Sequence, residues 1–91
     1  MDVKPFTIAV EDRILEDLRQ RLSDTRWPDE IPNTGWEYGS NLAYIKELVE
    51  YWRTDFDWRA QEAKLNEFNH FKSEVDGLDI HFVHEKGKGP N

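Results

Sequence analysis

The stretch from Asp24 to Ser40, DTRWPDEIPNTGWEYGS, has neither a helical nor a strand period. Pro28 and Pro32 fix φ and remove backbone donors, while Gly35 and Gly39 admit positive φ, so regular structure is broken repeatedly. A structureless loop longer than about 12–15 residues is uncommon in a compact domain unless it is functional or packed. This one also holds Trp27, Ile31, Trp36 and Tyr38, and a large aromatic buries roughly 150–250 Å² when it finds a partner. The expectation is an ordered aromatic belt lying against other protein.

Composition sharpens that expectation. Hydrophobic residues make up 37% of the 91 positions and aromatics 13%, so the apolar surface is concentrated in a few large rings. A chain this short buries a modest fraction of its surface. Four Trp, three Tyr and five Phe are hard to hide inside it, and some are expected to face another domain or subunit. The net charge of −7 argues against nucleic acid and anionic membrane, which need clustered Lys and Arg. There is no cysteine, hence no disulfide or thiolate chemistry, which agrees with a reducing cytoplasm. No run of roughly 18 apolar residues is present to span a bilayer. Met1 stands only just before Pro5-Phe6, which leaves no room for a signal peptide, and a soluble chain is expected.

Along the chain, Phe6, Ile8 and Val10 alternate with Thr7 and Ala9 and predict a short extended segment with one apolar face. From Glu11 to about Ser23, Ile14, Leu15, Leu18 and Leu22 fall on one helical face, with Glu11 and Asp12 in the first turn and Asp17 poised to pair with Arg21. After the loop, Ser40 or Asn41 can cap a second helix carrying Leu42, Ile45, Leu48, Val49 and Trp52, flanked by Tyr44 and Tyr51. Its apolar arc is wide enough for more than one neighbour. Asp57 can cap a third helix from Trp58 to about Asn66, with Trp58, Leu65 and Phe68 as its apolar positions. Asn66, Asn69 and His70 end it. Phe71 to Val75, Asp76-Gly77 and Leu78 to Phe82 then read as a hairpin, since a type I′ turn needs positive φ at both central residues. A two-residue loop pairs Val75 with Leu78 and Phe71 with Phe82, and sets Glu74 opposite Asp79. An isolated hairpin is marginal, so this one is expected to extend a larger sheet. Gly87 to Asn91 reads as a flexible turn.

Little here supports chemistry. His81 and His84 are three apart on a strand and point to opposite faces, so no shared metal is expected, and His70 sits at a helix end. There is no G-x-S-x-G or G-x-D-x-G elbow and no glycine-rich phosphate loop. The acids are spread over helix faces and read as solvated. No catalytic residue, cofactor or metal is assigned.

The order Pro5-Phe6, LRQRLSDTRWPDEIP (Leu18 to Pro32), GWEYG (Gly35 to Gly39), LAYIKELVEYWR (Leu42 to Arg53), FDWRAQEAKLN (Phe56 to Asn66) and VDGLDIHFVHEK (Val75 to Lys86) resembles the N-terminal domain of the microsomal-type epoxide hydrolases, over about residues 5 to 91. The resemblance implies an α+β architecture: an extended N-terminal segment, three helices joined by a long aromatic belt loop, and a C-terminal β-hairpin that opens an α/β-hydrolase sheet. It implies a helical domain over 1–69 and a hairpin over 70–91 belonging to the start of the catalytic sheet. In the family this domain wraps a following α/β-hydrolase domain. There an aspartate opens the epoxide as an ester, a histidine–carboxylate pair activates water, and two tyrosines hold the epoxide oxygen. None of those roles maps onto this chain, which stops before the His-Gly-Trp-Pro segment. Membrane-bound relatives carry an N-terminal anchor, and this chain shows none.

The functional expectation is therefore a covering and docking portion of an epoxide hydrolase, without activity alone, whose partner is a catalytic domain on the same or a second chain. Arg26, Trp27, Pro28, Trp36 and Tyr38 are the expected belt contacts, and Trp52 and Trp58 the helix anchors. The alternative is a free-standing module in which the same aromatics bind a partner protein or a second copy. A carbohydrate platform of Trp27, Trp36 and Tyr38 is a third, lesser reading.

Overall fold

The structure is a computed structural model and describes residues 2–90. It contains a strand β1 (Val3–Phe6), helices α1 (Asp12–Ser23), α2 (Leu42–Thr54) and α3 (Trp58–Leu65), and strands β2 (His70–Val75) and β3 (Leu78–Val83). The chain divides into two compact units, Met1–Ala9 with Asp57–Asn91, and Val10–Phe56.

The first unit is built on an antiparallel sheet in the order β1-β2-β3. The hairpin has the register expected from the Asp-Gly turn: Val75 opposite Leu78, Glu74 opposite Asp79, Phe71 opposite Phe82. Asp76 and Gly77 both have positive φ, 51° and 81°, as a type I′ turn demands. The N-terminal segment is displaced from its expected place. The strand covers Val3–Phe6 and pairs Phe6 with His70 and Val3 with Ser73. Pro5 fits because β1 is an edge strand. The pairing stops after Phe6 because another group takes the next backbone. The Ile8 N–H donates to Asn66 Oδ1 (2.9 Å), and Asn66 Nδ2 donates to the Ile8 carbonyl (2.8 Å). One side-chain amide thus replaces the strand ladder, which alternation of Phe6, Ile8 and Val10 does not reveal.

α3 starts where expected. Asp57 accepts from the Ala60 N–H at 3.1 Å, and the helix ends at Leu65. Phe68 lies in the turn beyond it rather than on its apolar face, and His70 is the first residue of β2 rather than a helix end. Glu62 is buried on α3, held by Trp58 Nε1 (3.1 Å) and Arg59 (2.9 Å).

In the second unit, α1 packs against α2. Leu15, Leu18 and Leu22 on one helix and Leu42, Ile45 and Val49 on the other are half-buried, each at helical spacing. Glu11 is the N-cap of α1, not part of its first turn, and makes no capping bond; its carboxylate instead meets Arg13 at 2.6 Å. Asp17 and Arg21 pair at 2.8 Å on the solvated side. Asn41, not Ser40, caps α2, accepting from the Tyr44 N–H at 3.0 Å. Glu30 accepts from the Leu42 N–H at 2.6 Å, so a loop carboxylate satisfies a second free donor of the first turn. Residues 25–41 between the helices contain turns but no helix or strand.

Among the described residues no hydrophobic side chain is fully buried. The buried side chains among the described residues are polar: Glu62, His70 and Ser73.

Candidate functional site: two uncovered apolar faces

Strand pleating sorts the sheet residues onto two faces. One carries Lys4, Phe6, His70, Lys72, Glu74, Asp79, His81 and Val83. The other is almost wholly apolar: Val3, Pro5, Phe71, Val75, Leu78, Ile80 and Phe82, with Ser73 among them. Phe71 and Phe82 stack at 5.7 Å. Around them Val3, Val75, Leu78 and Ile80 stay exposed, Leu78 by 67%. Ser73 Oγ is buried on this face and has no hydrogen-bond partner. A buried hydroxyl left so costs about 1–3 kcal/mol. The opposite face relieves its own like charges: Lys4 faces Lys72, and Lys72 Nζ lies 4.1 Å over the Phe6 ring.

The second unit has its own bare stripe. Tyr44, Leu48, Tyr51 and Trp52 lie on α2 beside the half-buried Leu42–Ile45–Val49 stripe and are all exposed. The wide apolar arc is therefore two stripes, one covered by α1 and one not. Trp36 reaches this region, its ring 5.3 Å from that of Tyr44, yet is still 58% exposed.

The expected contact residues fall in different settings. Arg26 is exposed in the loop. Trp27 is half-buried and lines a cleft with Leu22, Val49 and Arg53. Pro28 and Tyr38 line an open hollow of about 290 Å³ enclosed by the loop itself, and Tyr38 is 74% exposed. Trp36 and Trp52 join the bare α2 stripe. Trp58, in the other unit, is half-buried and tied to Glu62, so it has an internal structural task. The sequence reading missed the sheet face as a contact surface: Leu78 and Ile80 were legible as hairpin residues, but a strand pattern does not say whether its apolar side is covered.

The reading of the histidines also changes. His84 lies beside Phe71, on the face opposite His81 (ring centroids 6.4 Å from Phe71). His70 and His81 share the polar face, with His70 Nδ1 2.9 Å from His81 Nε2. The pair was hidden because His70 was assigned to a helix end. Among the described residues no three His, Asp or Glu side chains are grouped so as to hold a metal ion. No helix of the described residues is long and apolar enough to cross a membrane.

Three helices and a three-stranded antiparallel sheet with one bare apolar face define the class of fold. Residues 3–91 match the family described as "Epoxide hydrolase N terminus", and the chain belongs to that family. It is 43% identical over 84 residues to juvenile hormone epoxide hydrolase 2 of Ctenocephalides felis, and 40% identical over 84 residues to epoxide hydrolase 1 of Sus scrofa. Each match takes in 92% of this chain but 18% of the relative. The crystal structure of juvenile hormone epoxide hydrolase from the silkworm Bombyx mori superposes with a TM-score of 0.87 at 28% identity, over 98% of this chain and 24% of that one. The chain thus spans about a fifth of the length of these relatives and corresponds to their N-terminal portion.

Proposed function

We propose that this chain is the non-catalytic covering and docking part of an epoxide hydrolase, an enzyme that converts an epoxide to a vicinal diol through an aspartyl ester. The observation that carries the reading is the absence of any fully buried hydrophobic side chain among the described residues, together with two continuous apolar faces. Exposed patches of this kind mark interaction surfaces. The occupant is the α/β-hydrolase catalytic domain, on the same polypeptide or a second one. Residues 1–69 serve as the covering domain and 70–91 open the catalytic sheet. The loop from Asp24 to Ser40 acts as a belt, with Arg26, Trp27, Pro28, Trp36 and Tyr38 as contacts and Trp52 and Trp58 as anchors. The unpartnered Ser73 hydroxyl supports the same picture, because a docked segment can offer it an acceptor. The protein works in the cytoplasm, in keeping with its lack of cysteine.

The test compares residues 1–91 alone with the polypeptide that includes the catalytic domain. Hydroxyl-radical footprinting should show Trp36, Tyr38, Trp52 and Leu78 reactive in the first and protected in the second. Epoxide opening should appear only when the catalytic domain is present. Equal reactivity of these side chains in both forms would remove the docking role. Protection in the short chain that grows with its concentration would favour self-association instead.

A further inference from the structure

His70 is only 6% exposed, and both of its ring nitrogens are engaged. Nε2 lies 2.6 Å from the Leu65 carbonyl and Nδ1 lies 2.9 Å from Nε2 of His81. A carbonyl oxygen only accepts, so His70 Nε2 carries a hydrogen. Nδ1 of a neutral His70 is then an acceptor, and His81 must be the Nε2–H tautomer that donates to it. One added proton fits this arrangement. A charged His70 donates from both nitrogens, to Leu65 and to His81, whose hydrogen moves to Nδ1. A second proton does not fit, because both facing nitrogens would carry hydrogens 2.9 Å apart.

The setting reinforces that limit. Leu65 is the last residue of α3, and its carbonyl, which also accepts from the Phe68 N–H at 3.2 Å, stands at the helix end that favours a nearby cation. One imidazolium is welcome there. Against a second, β1 brings Lys4, and β2 brings Lys72 directly opposite His81. The acids of this face, Glu74 on β2 and Asp79 on β3, stand two pairs nearer the turn and face each other. α3 brings Lys64 and Glu62, the latter already held by Trp58 and Arg59. Beyond β3, Glu85 is engaged by Asn69. Phe6 packs its ring edge-on to His81 at 4.8 Å, while His81 itself stays exposed to solvent.

We propose that His70 and His81 form a proton-responsive latch that fastens the C-terminal end of α3 to the hairpin. The latch is closed with no added proton or one, and opens when both imidazoles are charged. The open form binds two protons where the closed form binds one, so closure weakens as pH falls through the second step. Imidazole is the side chain that ordinarily titrates between about pH 5 and 8. The inference does not rest on the enzymatic reading above.

Imidazole nitrogen–proton correlation spectra of the full-length polypeptide, recorded from about pH 8 down to about pH 4.5, test it. At the upper end both rings should be Nε2–H tautomers. The first proton should move the signals of both rings together, as coupled sites do. The second should coincide with loss of exchange protection in β2 and β3. His81→Gln supplies a side chain that donates to His70 Nδ1 at high pH and, with its amide turned over, accepts from it at low pH. In that variant the acid loss of exchange protection in β2 and β3 should be absent, because no second imidazole is there to charge. Independent one-proton curves for the two rings would overturn the latch. So would an acid step unchanged in His81→Gln. If that variant does not fold, coupling or independence of the rings in the unsubstituted protein decides.

Discussion

The two faces of the sheet are built from the same three strands, yet they are finished to different degrees. On the polar face the groups nearest α3 have partners within the unit: His70 with Leu65 and His81, Lys72 with Phe6. On the apolar face Leu78 and Ile80 are open and the Ser73 hydroxyl is buried without a partner. The lesson concerns where the stability of each face resides. The His70 end of the polar face is held from within the unit and should behave alike in a fragment and in a longer protein. The apolar face gains its free energy only when covered, at about 25 cal/mol per Å² of apolar area removed from water.

The largest expected effect lies on the apolar face and depends on context. If a catalytic domain covers this face as proposed, Ile80→Asp should prevent cooperative folding of the polypeptide that includes that domain, because docking would bury an unpaired carboxylate. In residues 1–91 alone, where Ile80 is exposed, it should shift the midpoint of denaturant unfolding little. Similar small shifts in both forms would erase the contrast between the faces. Next comes Asn66→Ala, which frees both backbone groups of Ile8 and should cost about 1–3 kcal/mol by the same measurement, in either form. A change near zero would mean that water replaces the amide at no cost. In the helical unit Asn41→Ala should cost about 1 kcal/mol, as loss of an N-cap does. Ser40→Ala, one residue away, should stay within about 0.5 kcal/mol, and equal costs would undo the assignment of the cap.

The smallest effect is electrostatic. The Arg53 guanidinium, bonded at 2.5 Å, holds the Glu50 carboxyl below its ordinary range, while Glu50 raises Arg53. A depressed carboxylate contributes stability above its unfolded value of 4.5, and that contribution is lost as pH falls through the lower folded value. Carboxyl carbon shifts in a pH titration should place the Glu50 midpoint below those of the unpaired surface glutamates, and Arg53→Gln should bring it back. The pair is solvent-exposed, so its weight in stability is slight.

How much of this could be read from the sequence depends on how far apart the interacting residues lie. The Asp57 cap, the Asp76-Gly77 turn and the Asp17–Arg21 pair involve neighbours within a few positions, and their chemistry is written locally. The Asn66–Ile8 exchange joins residues 58 positions apart, and no pattern around Ile8 announces it. Ser40 and Asn41 are both good caps, and only the path of the arriving chain chooses between them. The His70–His81 pair follows from the hairpin register once β2 is extended by one residue to His70. Trp27, Trp36 and Tyr38 stand out in the sequence as aromatics in an irregular stretch, and Trp52 and Trp58 as aromatics on helices. That Trp58 is occupied with Glu62 while Trp36 and Trp52 stand open depends on packing, which composition does not encode.

The bond from Glu30 to the first turn of α2 also bears on which changes of length this chain can absorb. It ties Glu30 to Leu42, so the residues between them form a closed eyelet whose ends are fixed whatever happens along its rim. Lengthening a loop whose ends are already held costs little, about 0.6 kcal/mol for each doubling. Insertions around Asn33 to Gly39 should therefore leave the start of α2 where it is, whereas a lost carboxylate at position 30 would let the whole eyelet drift. The rim is free to change in length and shape, and Glu30 is the stitch that lets it do so.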